Sequence, residues 1–240
     1  MKRGISTQWT VLKHTTLSEV DDGLLTAVGI IRMPLMDFPR RMCVIRLRGK
    51  RVAIFSPIAL SEIEMGRIEA MGSPDFLIVP SLHHRRDIKI WKDRYPKSQV
   101  IAPPGARTAV EEVVKVDRSD LNLDDPDVNL FAVPGTSEKE AGMTVRRNGR
   151  TSIIVSDIIG NLKKRRGFTG WAERIMGFSG KHPKVPVYAR WRLIADRVAF
   201  RNWLTQSAQI SGLERIIVAH GNIIVHDPAN VLQQIAREME

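Results

Sequence analysis

The apolar run Phe76-Leu77-Ile78-Val79 stops at Pro80, and His83, His84 and Asp87 follow at once. A short run rich in branched side chains and closed by proline reads as a buried strand. Two more runs share this design. Ser152-Ile153-Ile154-Val155 leads directly to Asp157, and the run Arg215 to Ala219 ends at His220-Gly221. In α/β proteins chemistry collects at the carboxyl ends of strands, where loops hold polar side chains over a rigid sheet. Three strand ends carrying imidazole or carboxylate therefore restrict the chain to a sheet-based α/β fold with a polar site along one edge.

The remaining pattern supports that class. Leu24 to Ile31 and Met42 to Leu47 read as strands, and Arg48-Gly49-Lys50 turns the chain into Val52 to Phe55. Ser61 to Met71 reads as a helix, with Ser61 as N-cap and Glu64 as its capping-box partner, and Gly72-Ser73-Pro74 stops it. Asp87 to Tyr95 reads as helical, with Asp87 a cap or an arginine partner. Short strands follow at Val100 to Ala102 and Asn129 to Val133. Ala141 to Arg146 and Thr151 to Ser156 flank an Asn148-Gly149 hairpin turn. Tyr188 to Ile210 reads as one long helix. Its stripe Trp191, Ile194, Ala195 and Val198 and its opposite stripe Leu193, Phe200 and Leu204 predict burial on both faces, with a homodimer contact as one way to cover the second. Pro228 to Glu240 closes the chain as a helix.

The 240 residues fit a single domain over 1–240, and 43% hydrophobic content is enough for a core. One cysteine, Cys43, excludes an internal disulfide and any multi-cysteine zinc site, and its place between apolar neighbours predicts a buried strand position. That usage fits a reducing cytoplasm. No signal-length apolar stretch follows Met1-Lys2-Arg3, and no run of ~18 apolar residues predicts a membrane span. Net charge is +11, a field that draws nucleic acid, anionic surfaces or acidic metabolites. Its one dense run is Lys163-Lys164-Arg165-Arg166, inside a basic, Gly- and aromatic-rich inserted segment at about 161–186; as a bland alternative the run is a solvated loop.

Four segments then acquire a common meaning. Ile54-Phe55-Ser56-Pro57-Ile58, Val79-Pro80-Ser81-Leu82-His83-His84, Ile154-Val155-Ser156-Asp157-Ile158 and Val218-Ala219-His220-Gly221 fall in the order of the metallo-β-lactamase landmarks. The chain resembles an uncharacterised bacterial branch of that superfamily over roughly residues 20 to 235. The resemblance implies a four-layer αββα sandwich, hydrolytic chemistry and a metal site. It also implies losses. Against the H-x-H-x-D-H motif of the superfamily, Ser81 stands at the first histidine and His83 at the second. Arg85 falls at the aspartate and Arg86 at the last histidine. The usual Pro-Gly-His reads Pro134-Gly135-Thr136. Asp157 takes the bridging carboxylate position and His220 the late histidine.

Guanidinium stays protonated and only donates, so Arg85 and Arg86 cannot ligate a cation. Two-metal hydrolysis is not expected. The metal candidates are His83, His84, Asp157 and His220, holding one divalent ion (zinc, iron or manganese) or none. The expected function is a hydrolase-related protein acting on an ester, thioester or phosphoester, with its substrate unidentified. Three alternatives stand beside it. The histidines and Asp157 serve as caps and strand-end packing. Or Arg85 and Arg86 with Lys163, Lys164, Arg165 and Arg166 form an anion pocket in a non-catalytic binding protein for an anionic ligand or nucleic acid. Or the chain is mainly a structural homo-oligomer. His14, His182 and His226, in loops or near Pro and Asp, are not expected to be catalytic.

Overall fold

The computed structural model describes residues 4–32, 37–163, 179–180 and 182–239. The chain forms two compact units, one of residues up to 32 with 37–125, the other mostly Pro126–Glu240. Among the described residues no helix is long and apolar enough to cross a membrane.

The first unit is built on a six-stranded sheet: β1 (Ser18–Asp21), β2 (Leu24–Arg32), β3 (Asp37–Leu47), β4 (Arg51–Phe55), β5 (Ser73–Ile78) and β6 (Gln99–Ile101), in that spatial order. The first three pairings are antiparallel, and β4, β5 and β6 run parallel. Parallel strands need crossovers. α1 (Glu62–Met71) supplies one between β4 and β5, and α2 (Ile88–Arg94) the next; α3 (Arg107–Glu111) follows β6. Val44, Ile54, Leu77 and Val100 pack with Met65 and Ile68 of α1 and with Ile88 and Trp91 of α2 in one apolar core. Cys43 is buried on β3, and that burial pushes its thiol up to about 12.

The expected capping box of α1 does not form. Ser61 is the N-cap residue but makes no side-chain cap bond. Its backbone N–H donates instead to His14 Nε2 at 3.1 Å, and His14 Nδ1 meets the Thr15 carbonyl at 2.8 Å. Glu64 is turned inward, where it accepts from the backbone N–H of Leu17 at 2.9 Å and pairs with Arg67. The N-terminal segment thus supplies the partners that a local box would have provided.

The second unit carries β7 (Val128–Ala132), β8 (Ala141–Arg147), β9 (Arg150–Lys163), β10 (Ser179–Gly180) and β11 (Leu213–Gly221). β7, β8 and β9 form an antiparallel meander, and β11 and β10 pair with β9 in parallel. The β8–β9 turn places Asn148 at φ +51° and Gly149 at φ +75°, the pair of left-handed residues that a tight hairpin of this hand requires.

The long helix expected over Tyr188 to Ile210 is two helices, α4 (Val187–Arg192) and α5 (Arg197–Ser207). Between them the backbone N–H groups of Ala195 and Asp196 donate to the Gly135 carbonyl, and Asp196 caps α5 by accepting from Ala199 N–H at 2.9 Å. The two apolar stripes therefore do not share one helix. Leu193, Phe200 and Leu204 are core, whereas Trp191 and Val198 are exposed, with Arg197 over the Trp191 ring. α6 (Pro228–Glu238) follows β11 and adds Leu232 and Ile235 to the same core.

Candidate metal centre

Within the second unit, β9 and β11 hold Asp157 against His220. Val218 pairs with Val155, but His220 pairs with Gly160. Two steps along β11 thus match five along β9, and Ser156 to Ile159 bulge opposite Ala219. Bulges re-aim side chains, which explains how a carboxylate inside a strand reaches a neighbour's imidazole. Asp157 lies within β9 rather than just beyond a strand as expected, and His220 likewise lies within β11. His220 Nε2 and Asp157 Oδ1 are 2.9 Å apart, and the two residues are only 3% and 4% exposed. Gly221 (φ +118°) permits this approach, because a Cβ there would lie 2.2 Å from the Asn161 carbonyl.

Two residues not singled out in the sequence stand beside this pair. Glu140 is fully buried just before β8; its Oε2 accepts from Ser156 Oγ and, at 3.4 Å, from Asp157 N–H. Two buried carboxylates are thereby joined through one short segment. Tyr188 on α4 responds to both: burial raises its phenol above the ordinary value, and the charges of Asp157 and Glu140 raise it further, against Arg192. Tyr188 thus keeps its proton. Thr136 is buried, with its hydroxyl donating to the Val133 carbonyl at 2.7 Å.

Within the first unit, the histidine pair divides. His84 is 1% exposed, and its Nδ1 lies 2.6 Å from Ser56 Oγ; its backbone N–H donates to the Ser81 carbonyl. When Nδ1–H donates to the serine, Nε2 becomes the acceptor nitrogen, the tautomer suited to a metal ligand. Ser56 closes β4 at φ +59°, a conformation that is uncommon outside glycine. His83 is exposed, and its backbone N–H donates to Ser81 Oγ. The two arginines also divide. Arg85 pairs with Glu112 at 2.9 Å and donates to the Ala109 carbonyl, whereas Arg86 lines a separate cavity. Asp87 is an arginine partner, accepting from the buried Arg40 at 2.5 Å, and makes no side-chain cap on α2. Lys163 ends β9, and Lys164, Arg165 and Arg166 lie outside the described residues, as does most of the inserted segment.

The sequence offered a signal for Ser56, which stood in one of the four landmark segments. None marked Glu140 or Arg40, since an acidic or basic residue beside a strand is ordinarily solvated.

No family model and no curated protein matches the sequence. Solved structures do match the fold. The metallo-β-lactamase FIM-1 from Pseudomonas aeruginosa, in its mono-zinc form, is 12% identical, with 96% of this chain and 98% of that chain covered at a TM-score of 0.63. The DIM-1 metallo-β-lactamase exposed to ceftazidime is 10% identical, covering 96% and 100% at 0.63. A metallo-β-lactamase from Hirschia baltica is 11% identical, covering 92% and 96% at 0.57. With helices and two sheets, and with 96% of its length covered in the first two of these matches, the chain has the metallo-β-lactamase fold.

Proposed function

We propose that the chain is a hydrolase-related protein that binds one divalent ion, with Asp157 and His220 of the second unit as protein ligands and His84 as the further ligand that the sequence resemblance implies. The observation that carries this reading is the buried Asp157–His220 pair. Two donors to a shared zinc at about 2.0–2.2 Å each lie roughly 3 Å apart. The 2.9 Å between Oδ1 and Nε2 suits them both to one ion once the imidazole proton is given up. Imidazole and carboxylate also suit iron and manganese. Three protein ligands leave a coordination position open, as in catalytic rather than structural sites.

Such an ion, when bound, supplies Lewis-acid polarisation of an ester, thioester or phosphoester oxygen. The chain's own residues supply the rest. Ser56 fixes the ring of His84, and Glu140 holds the Ser156–Asp157 segment by accepting from its hydroxyl and its backbone N–H. Tyr188, kept protonated beside the carboxylates, is a hydrogen-bond donor for a substrate oxygen. Ser81 and Thr136 stand where the superfamily has histidines, and Arg85 is committed to Glu112, which favours one ion over two.

Elemental analysis tests this reading on the full chain, after chelation and reconstitution with zinc, iron or manganese. About one ion per chain is expected, with loss in His84→Ala and in His220→Ala. Negligible uptake of all three metals, or uptake unchanged by both substitutions, overturns it.

A further inference from the structure

The first unit contains a cavity of about 300 Å³ whose chemistry the proposed metal site does not use. The N-terminal segment forms one side, with Ser6, Thr7 and Thr10 offering hydroxyls and Ile5 and Leu12 offering apolar surface. Ile30 and Ile58 complete an aliphatic wall, and Arg32, Arg86 and Asp87 bring charge.

Those charges do not balance locally. Asp87 Oδ2 accepts from Arg40, which is buried on β3, and Asp87 Oδ1 accepts from Ser6 Oγ at 2.5 Å. Asp87, the one acidic wall residue among those described, is thus already engaged by a buried cation behind it. Arg40 Nε and Nη1 are also buried without a hydrogen-bond partner among the described residues. Burial lowers the Arg40 pKa, Asp87 opposes that, and the charge of Arg86 adds to the lowering, so Arg86 and Arg40 already feel one another. Among the described residues neither Arg86 nor Arg32 has a carboxylate partner. Cationic walls in a partly enclosed cavity favour an anion, because the low local dielectric strengthens the attraction.

The apolar half specifies the rest of the ligand. Among the described residues no aromatic ring lines the cavity, and none of them offers a stacking surface for a base. Its volume stands at the small end of ligand pockets. We propose that this cavity is a binding site for a small oxyanion carried on an aliphatic body, a carboxylate or a phosphate monoester, gripped by Arg86 and Arg32 over the Arg40–Asp87 pair, with its chain against Ile5, Leu12, Ile30 and Ile58.

Isothermal titration calorimetry of the full chain at low salt with chelator present keeps the question separate from metal binding. Octanoate, octyl phosphate and octanol are the probes. Saturable one-to-one binding of octanoate or octyl phosphate is expected, with the tighter of the two naming the head group, and octanol should bind at least about tenfold more weakly. Arg86→Gln and Arg32→Gln, both at a cavity wall rather than in the core, should each weaken the anion about tenfold with the circular dichroism unchanged. Leu12→Ser should weaken the octyl probes as well. No saturable binding of either anion, equal binding of octanol, or full affinity retained in Arg86→Gln overturns the proposal.

Discussion

His220 Nε2 and Asp157 Oδ1 face each other at 2.9 Å across a bulge that sets four residues of β9 opposite Ala219 of β11. A buried carboxylate that loses a donor loses part of what offsets its desolvation. His220→Ala should therefore destabilise the chain by about 1–3 kcal/mol in urea unfolding under chelation. The double variant His220→Ala/Asp157→Ala should recover part of that loss, because it removes the buried carboxylate as well.

Ser56 is expected to act through His84. Partners that orient a metal-ligating imidazole typically contribute 10–100-fold in affinity. Ser56→Ala should weaken metal binding by about that factor while leaving the folded spectrum intact; Ser56→Thr should retain more affinity than Ser56→Ala. Competition with a fluorescent chelator reads the difference.

Arg40 and Asp87 form a buried ion pair at 2.5 Å, with both side chains under a tenth exposed. Removing either partner strands a buried charge, at about 3–5 kcal/mol. Arg40→Met and Asp87→Leu should each cost about that much, and the double variant should be far less damaging than their sum. Additive losses in a denaturation cycle would contradict the coupling.

Gly221→Ala should cost more than Gly149→Ala. Both glycines have positive φ, but only Gly221 would bring a Cβ within 2.2 Å of backbone atoms of Asn161, whereas nothing lies within 4 Å at Gly149. The open turn should lose about 1–2 kcal/mol for its left-handed conformation alone. Because Gly221 adjoins His220, the variant should also lose metal uptake, which elemental analysis measures.

Cys43 should be unreactive in the native protein. Burial pushes its thiol up to about 12, so very little thiolate exists at pH 8 and the sulfur is out of contact with solvent. A disulfide reagent at pH 8 should react at the rate of unfolding; urea above the transition should release the full signal.

Strand ends, turns and the order of landmark segments were legible in the sequence because they depend on neighbouring residues. Alternating or continuous apolar runs, Asn148-Gly149 and the prolines report local backbone preference, and they located His84, Asp157 and His220 in the chain. The same local view placed His83 on an equal footing with His84; only burial and the 2.6 Å contact to Ser56 separate them. It extended one helix across Leu193 to Asp196, where packing against Gly135 breaks it. It matched Glu64 to Ser61, although Leu17 and His14 hold those groups. Glu140, Arg40 and the bulge in β9 left no local trace.

The sequence by itself determined the class of fold and the chemistry available at the strand ends. Tertiary structure alone decided which polar groups are buried together. His220 and Asp157 are 63 residues apart in the chain, and Arg40 and Asp87 are 47 apart. A buried donor or acceptor must find its partner wherever folding brings one, so its role depends on strand register and desolvation rather than on its neighbours in sequence.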